Sequence, residues 1–214
     1  MKILYACRGW ILGAMAGTML ALPGMPISDD WFDMLPLPTL CLIAFVLLRV
    51  QARRIIGEHT RGFSHDADRL VTEGVYSRIR HPLYLSNAGV GYAFVVLHFG
   101  FALVALAFVV ALFAFEYLLS RMEDRYLENR FGEEWRTWAA ETPAFFPRLS
   151  GSGMGPSVGG RPATAREGSA TGSAERSAKS PARRSFAAAF KADTSTWLWL
   201  LVMIAVVVGR KFLG

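Results

Sequence analysis

Hydrophobic and polar positions fall into long blocks, not into the short alternations of strands. From Gly9 to Ile27 nineteen residues carry no charge. As a helix they cover about 28 Å, close to the thickness of a bilayer's hydrocarbon core. Lys2 and Arg8 precede the block, and a basic start with an apolar centre also fits a signal peptide. The further apolar blocks, and the lack of a clean small-x-small cleavage site, favour a membrane span. An acidic loop with Asp29, Asp30 and Asp33 follows. A second span is predicted from Met34 to Leu48, with Pro36 and Pro38 in its first turn, where missing N–H groups matter little. Leu83 to Phe115 is a run of 33 residues without a charge other than one on His98. That is more than one straight span needs and fewer than the roughly 40 of two full spans. A tight helical hairpin turning at His98-Phe99-Gly100 is predicted, with Gly100 able to take the turn conformation.

Phe115 to Trp138 is dense in charge and reads as a helix leaving the membrane. Two prolines in Thr142–Pro147 end it. Of the 35 residues from Ser150 to Arg184, 23 are Gly, Ser, Ala or Pro. Such a stretch buries too little apolar surface to offset ordering entropy, and a disordered linker is expected, its basic excess drawn to anionic headgroups. Ser185 to Lys191 reads as a short interfacial helix with Phe186 and Phe190 on one side. The last apolar segment, Thr194 to Gly209, has Trp197 and Trp199 at one end and Arg210 and Lys211 just past the other. Counting spans puts that basic end outside, against the positive-inside rule. Either larger loops outvote it or the segment does not fully cross. The fold class expected is all-α: a polytopic membrane helical bundle of about five spans, including the tight hairpin, with the linker before the last segment. Three parts are expected, a core at 1–149, the linker at 150–184, and an interfacial helix with the apolar segment at 185–214.

Composition agrees with that pattern. Of the 214 residues 53% are hydrophobic and 19% charged, which excludes a disordered chain and a fibrous repeat. The net charge of +6 is concentrated in places such as Arg49 to Arg80, which holds seven arginines. The positive-inside rule puts that stretch, both ends of the hairpin and the N-terminus in the cytoplasm, and the acidic loop outside. No basic run with interleaved aromatics points to nucleic acid. Cys7 and Cys41 form neither a disulfide framework nor a metal-ligand spacing, so no metal is expected.

Two clusters carry candidate chemistry. The first runs from Asp68 to Ser86 and puts Arg80 and His81 where the hairpin begins. Pro82 suits the first turn of that helix, so the free N–H groups of the turn and the two basic side chains suit an anion. The second is Glu123-Asp124-Arg125-Tyr126-Leu127 followed by Phe131-Gly132-Glu133-Glu134-Trp135. A hairpin brings its ends together, so the basic and acidic clusters become neighbours that match a zwitterion with a cationic centre. Taken alone, each has a plainer reading: a snorkelling basic pair, and a solvated helix face. Glu116 is either a paired or functional group within the membrane, or an ordinary one on a helix that has emerged.

The run Leu70-Val71-x-x-Gly74-Val75-Tyr76-x-x-x-Arg80-His81-Pro82-Leu83-Tyr84, with the acidic-acidic-x-x-Leu and Phe-Gly-Glu-Glu-aromatic elements downstream, resembles the isoprenylcysteine carboxyl methyltransferase and phospholipid methyltransferase superfamily. The resemblance covers about Leu40 to Leu149. It implies an integral membrane methyltransferase that uses S-adenosylmethionine at the cytoplasmic end of the hairpin. The lack of a sorting signal and the Arg- and Ala-rich linker make a bacterial inner membrane the expected location. By the same resemblance Leu70, Val71 and Tyr76 line the cofactor pocket, and His81, Pro82, Leu83 and Tyr84 contact the cofactor. Glu123 faces its positive groups, and Arg80 and Asp124 complete the cofactor-binding set. The methyl acceptor is lipophilic or small, bearing a carboxylate, amine or thiol, and the bilayer is the other partner. No catalytic base is assigned. Two positions depart from the family. Ser86 stands where a glycine is common, which is expected to crowd a close approach. Leu119 stands where the prenylcysteine enzymes carry an arginine, which weakens the case for a prenylcysteine carboxylate. The alternatives are a reductase resembling the sterol reductases, which share a His-Pro-x-Tyr motif and use NADPH, and a membrane scaffold without catalysis.

Overall fold

The computed structural model describes residues 2–25, 29–56, 69–147 and 184–213. The linker expected at 150–184 lies outside them except for Arg184, as do residues 57–68 of the arginine-rich stretch. All regular structure among the described residues is helical. The order is α1 (Lys2–Ala21), α2 (Asp29–Met34), α3 (Pro36–Ile56), a 3-10 turn (Gly74–Ser77), α4 (Pro82–Phe99), α5 (Leu103–Phe131), α6 (Glu133–Glu141), α7 (Phe186–Lys191) and α8 (Thr194–Leu213). By length and composition, two helical stretches are long and apolar enough to cross a membrane, Phe32–Ile56 and Leu103–Phe131.

Three boundaries differ from the apolar blocks. The first block is helical only to Ala21, because Pro23 cannot continue a helix. The acidic segment is helical at Asp29–Met34. The second block does not stop at Arg49: α3 runs on to Ile56. Its arginines find partners there, which lets the helix continue.

Helices α4 and α5 pack along one another in opposite directions, joined by Gly100, Phe101 and Ala102. Phe99 meets Phe108 near the connection, and His81 meets Asp124 at the other end. Gly100 sits at φ 68°, where a side chain would be strained, and its N–H closes α4 by donating to the Val96 carbonyl. The segment after α1 fastens to this end, with Met25 N–H donating to the His98 carbonyl and the His98 ring hydrogen-bonded to the Leu22 carbonyl. His98 is buried there, as part of the packing.

Helix α3 lies against the other side of α4. A Cβ on Gly89 would fall 2.1 Å from the Phe45 ring, so only glycine admits this approach. Ser86 is fully buried in the same contact and donates to the Phe45 carbonyl at 2.9 Å. The serine expected to crowd a close approach therefore ties two helices together. Met19, Phe94, Val95, Phe99, Ala105 and Val207 form the central apolar cluster, joining α1, α4, α5 and α8. The outward faces are also apolar: Trp10, Leu40, Leu103 and Leu201 are among the large side chains left exposed. A bundle with such flanks matches a hydrocarbon surrounding better than water.

Candidate functional site

The first motif reaches its place through the segment after α6. Arg80 N–H donates to the Pro143 carbonyl at 2.9 Å and His81 N–H to the Ala144 carbonyl at 3.0 Å. These bonds hold two residues that no helix satisfies, and Pro82 then opens α4 at a position that needs no donor. The Thr142–Pro147 segment thus does more than end a helix: it clamps the motif. The sequence hint was its pair of prolines, which leaves extended backbone with free carbonyls.

The two clusters meet. His81 is buried, and its Nε2 lies 2.9 Å from Asp124 Oδ1. Arg80 Nη2 reaches the other oxygen, Oδ2, at 3.4 Å, while Nη1 donates to the Ala139 carbonyl at 2.9 Å. An ionised carboxylate only accepts, so His81 carries its proton on Nε2 and turns Nδ1 toward Glu123. Nδ1 lies 3.9 Å from Glu123 Oε2. The two acids differ in setting: the Asp124 side chain is 4% exposed and that of Glu123 is 39%. Asp124 is committed to fixing Arg80 and His81, and Glu123 remains open to a ligand.

The surrounding residues form two apolar shells. Leu70, Val71 and Leu83 pack around Tyr76, Ala52 and Trp138. Tyr84 packs with Ile79, Leu119 and Phe145, and its ring lies 5.6 Å from that of His81. Pro82 is buried. Leu119 is therefore core. Tyr76 is buried; its carbonyl accepts from Trp138 Nε1 at 3.2 Å. Burial, then the nearby Glu123 charge, pushes the Tyr76 phenol well above its ordinary range, so it stays neutral at any working pH. Tyr76 Oη, Arg80 Nε and Trp135 Nε1 are buried without hydrogen-bond partners among the described residues. The Arg80 guanidinium lies over the Trp135 ring, 5.6 Å from its centroid. Trp135 is the aromatic of the Phe-Gly-Glu-Glu-aromatic element; Trp138, three residues on along α6, carries no sequence signal of its own.

Residues 36–134 match the model of the phospholipid methyltransferase family. The match agrees with the resemblance carried by the two motifs. No curated protein and no solved structure matches the chain. The segment matched to the phospholipid methyltransferase family runs from α3 to the start of α6, and so holds Arg80, His81, Glu123 and Asp124. The family is one of membrane methyltransferases, and the apolar flanks of α3 and α5 suit that setting.

A second polar group lies deeper, between α3, α4 and α8. Arg49 pairs with Asp193, which Arg53 also reaches at 3.3 Å. Arg49 further donates to Asn87 Oδ1 at 2.7 Å and to Thr196 Oγ1 at 3.2 Å. Burial alone would raise the Asp193 carboxyl, but Arg49, Arg53 and Thr196 together outweigh it and hold it below the usual carboxylate range. The sequence offered no sign of this pairing, because Arg49 and Asp193 are far apart along the chain. Among the described residues, no three His, Cys, Asp or Glu side chains gather as metal ligands do.

Proposed function

We propose that the chain is a multi-pass membrane methyltransferase that uses S-adenosylmethionine, with α4 and α5 as a transmembrane hairpin and the cofactor at its cytoplasmic end. One observation carries this reading: His81, fixed by Asp124, turns its free face to Glu123, at the junction of the two motifs of the matched family. The donor set fits the cofactor's charges. A half-exposed carboxylate suits an ammonium and a sulfonium. Buried N–H and O–H groups without partners on Arg80, Trp135 and Tyr76 suit a carboxylate and hydroxyls.

When bound, the cofactor supplies a methyl group on a good leaving group. The chain's part is to position and to exclude water. Asp124 holds His81 and Arg80 in one orientation, while Leu70, Val71, Leu83 and Tyr84 keep the site dry. A carboxylate acceptor needs no base. For an amine or thiol, His81 Nδ1 and the Glu123 carboxylate are the groups in reach of a proton. The family match favours this reading over an NADPH-dependent reductase.

Calorimetry on the protein in nanodiscs tests it. Heat of binding with S-adenosylmethionine and none with NADPH is expected, together with transfer of radiolabelled methyl to a membrane extract. Binding of NADPH alone overturns it.

A further inference from the structure

A cavity of about 220 Å³ opens between α1, α4, α5 and α8, walled by apolar side chains such as Met15, Phe94, Leu112 and Met203. Its polar lining residues are Asn87 and Thr196. The hydrogen-bonding capacity of both is partly spent: Asn87 Oδ1 and Thr196 Oγ1 accept from Arg49, and Thr196 Oγ1 donates to Asp193. The Asn87 amide N–H₂ is the part of that side chain that reaches Glu116. One turn beyond Leu112 on α5 is Glu116, fully buried, whose two carboxyl oxygens make no hydrogen bond of ordinary geometry to a described residue. Asn87, Arg49 and Arg8 are the polar groups that act on it. A buried polar group in that state is destabilising, and its oxygens accept in either protonation state.

We propose that this cavity with Glu116 at its head is a subsite for the methyl acceptor, a single-tailed amphiphile whose head carries a hydrogen-bond donor. The proposal rests on the methyltransferase reading and adds the substrate class. The order of residues along the helices supports it. On α4, His81 comes about 9 Å before Asn87, and the cavity wall follows. On α5, the wall residue Leu112 comes first, then Glu116, and Glu123 about 10 Å later. A head at Asn87 and Glu116 therefore lies between the apolar cavity and the cofactor end. Size sets the tail. An apolar cavity of about 150 Å³ takes a benzene ring, so this one holds about nine carbons, and two acyl chains do not fit.

The test uses the full chain in nanodiscs and a diazirine-bearing octan-1-ol as photolabel, with labelled residues mapped by mass spectrometry. Labels are expected on cavity residues such as Met19 and Met203. Octan-1-ol should compete at least about ten-fold better than 1-methoxyoctane, which lacks the donor. Glu116→Leu should erase that preference while keeping the label in the cavity, and Ala16→Phe should reduce the label itself. Both variants should bind S-adenosylmethionine as the unaltered chain does. Labels spread evenly over outward faces such as Leu40, equal competition by the ether, or equal competition by a two-chain phosphatidylethanolamine each overturn the proposal. Failure of the unaltered chain to bind the cofactor strikes the methyltransferase reading instead and leaves the labelling result standing.

Discussion

His81 Nε2 and Asp124 Oδ1 lie 2.9 Å apart, and that one bond joins the start of α4 to the last third of α5. Both side chains are nearly inaccessible to solvent. Removing Asp124 leaves the largely buried Arg80 guanidinium without its counter-ion and the His81 N–H without its acceptor, at a penalty on the order of 3–5 kcal/mol. Asp124→Ala should therefore lower the melting temperature and weaken S-adenosylmethionine binding together. Asp124→Asn, which keeps the shape and one acceptor oxygen, should restore much of the stability. If the alanine variant melts as the unaltered chain does, Asp124 is not what holds His81.

Glu123 stands next to Asp124 in sequence and opposite to it in role. Its side chain is 39% exposed and has only the 3.9 Å approach to His81 as a close partner among the described ion pairs. Glu123→Gln should leave the unfolding free energy within about 0.5 kcal/mol of the original, as exposed positions do. Its effect should fall on the cofactor: an affinity loss of roughly ten-fold or more, from one charge-assisted contact. Calorimetry beside thermal melting separates the two acids. Equal effects of Glu123→Gln and Asp124→Ala on stability would contradict the division of labour.

Much of this end of the bundle was legible in the sequence. Pro82 and Gly100 mark the two ends of α4 by backbone chemistry alone, and the charged run after Phe115 marks where the bundle turns polar. The meeting of Arg80 and His81 with Glu123 and Asp124 follows from an apolar run too long for one span. What stayed hidden depends on contacts distant in sequence. Whether Asp124 or Glu123 is buried is decided by their rotation about α5. The role of Ser86 is decided by the Phe45 carbonyl on α3, and the partner of Arg49 lies on the segment after α7. Periodicity reports which residues share a face; it does not report what that face meets.

The contact of α3 with α4 depends on two small residues. A methyl group on Gly89 would fall 2.1 Å from the Phe45 ring, so Gly89→Ala should destabilise by about 1–3 kcal/mol through overpacking. Phe45→Ala in the same chain should recover part of that loss, since it removes the obstructing ring. Ser86→Gly restores the residue common in the family but removes a buried bond to the Phe45 carbonyl, a loss of about 1 kcal/mol. Because Ser86 faces α3 and not His81, the cofactor affinity of Ser86→Gly should be unchanged. A gain in affinity would mean that the serine does crowd the site.

Asp193 fastens α7 and α8 to α3, and its titration sets the pH range over which that contact holds. Its carboxyl is depressed relative to the ordinary aspartate value of 3.8. The unfolded or undocked form therefore binds a proton more readily, and the pair's contribution is fully present above about pH 4. It is lost as pH falls through the lower, docked value. Between pH 5 and 8 hydrogen exchange in α8 should thus be insensitive to this group, and protection should drop only in stronger acid. Asp193→Asn removes the charge at every pH and leaves Arg49 and Arg53 buried without their counter-ion. That variant should show fast exchange in α8 already at pH 7, with a loss on the order of 3 kcal/mol. Adding Arg49→Met to Asp193→Asn should restore part of the protection, because the unpaired cation is gone. If exchange in α8 of the unaltered chain instead accelerates between pH 6 and 8, another titrating group governs the docking of this helix.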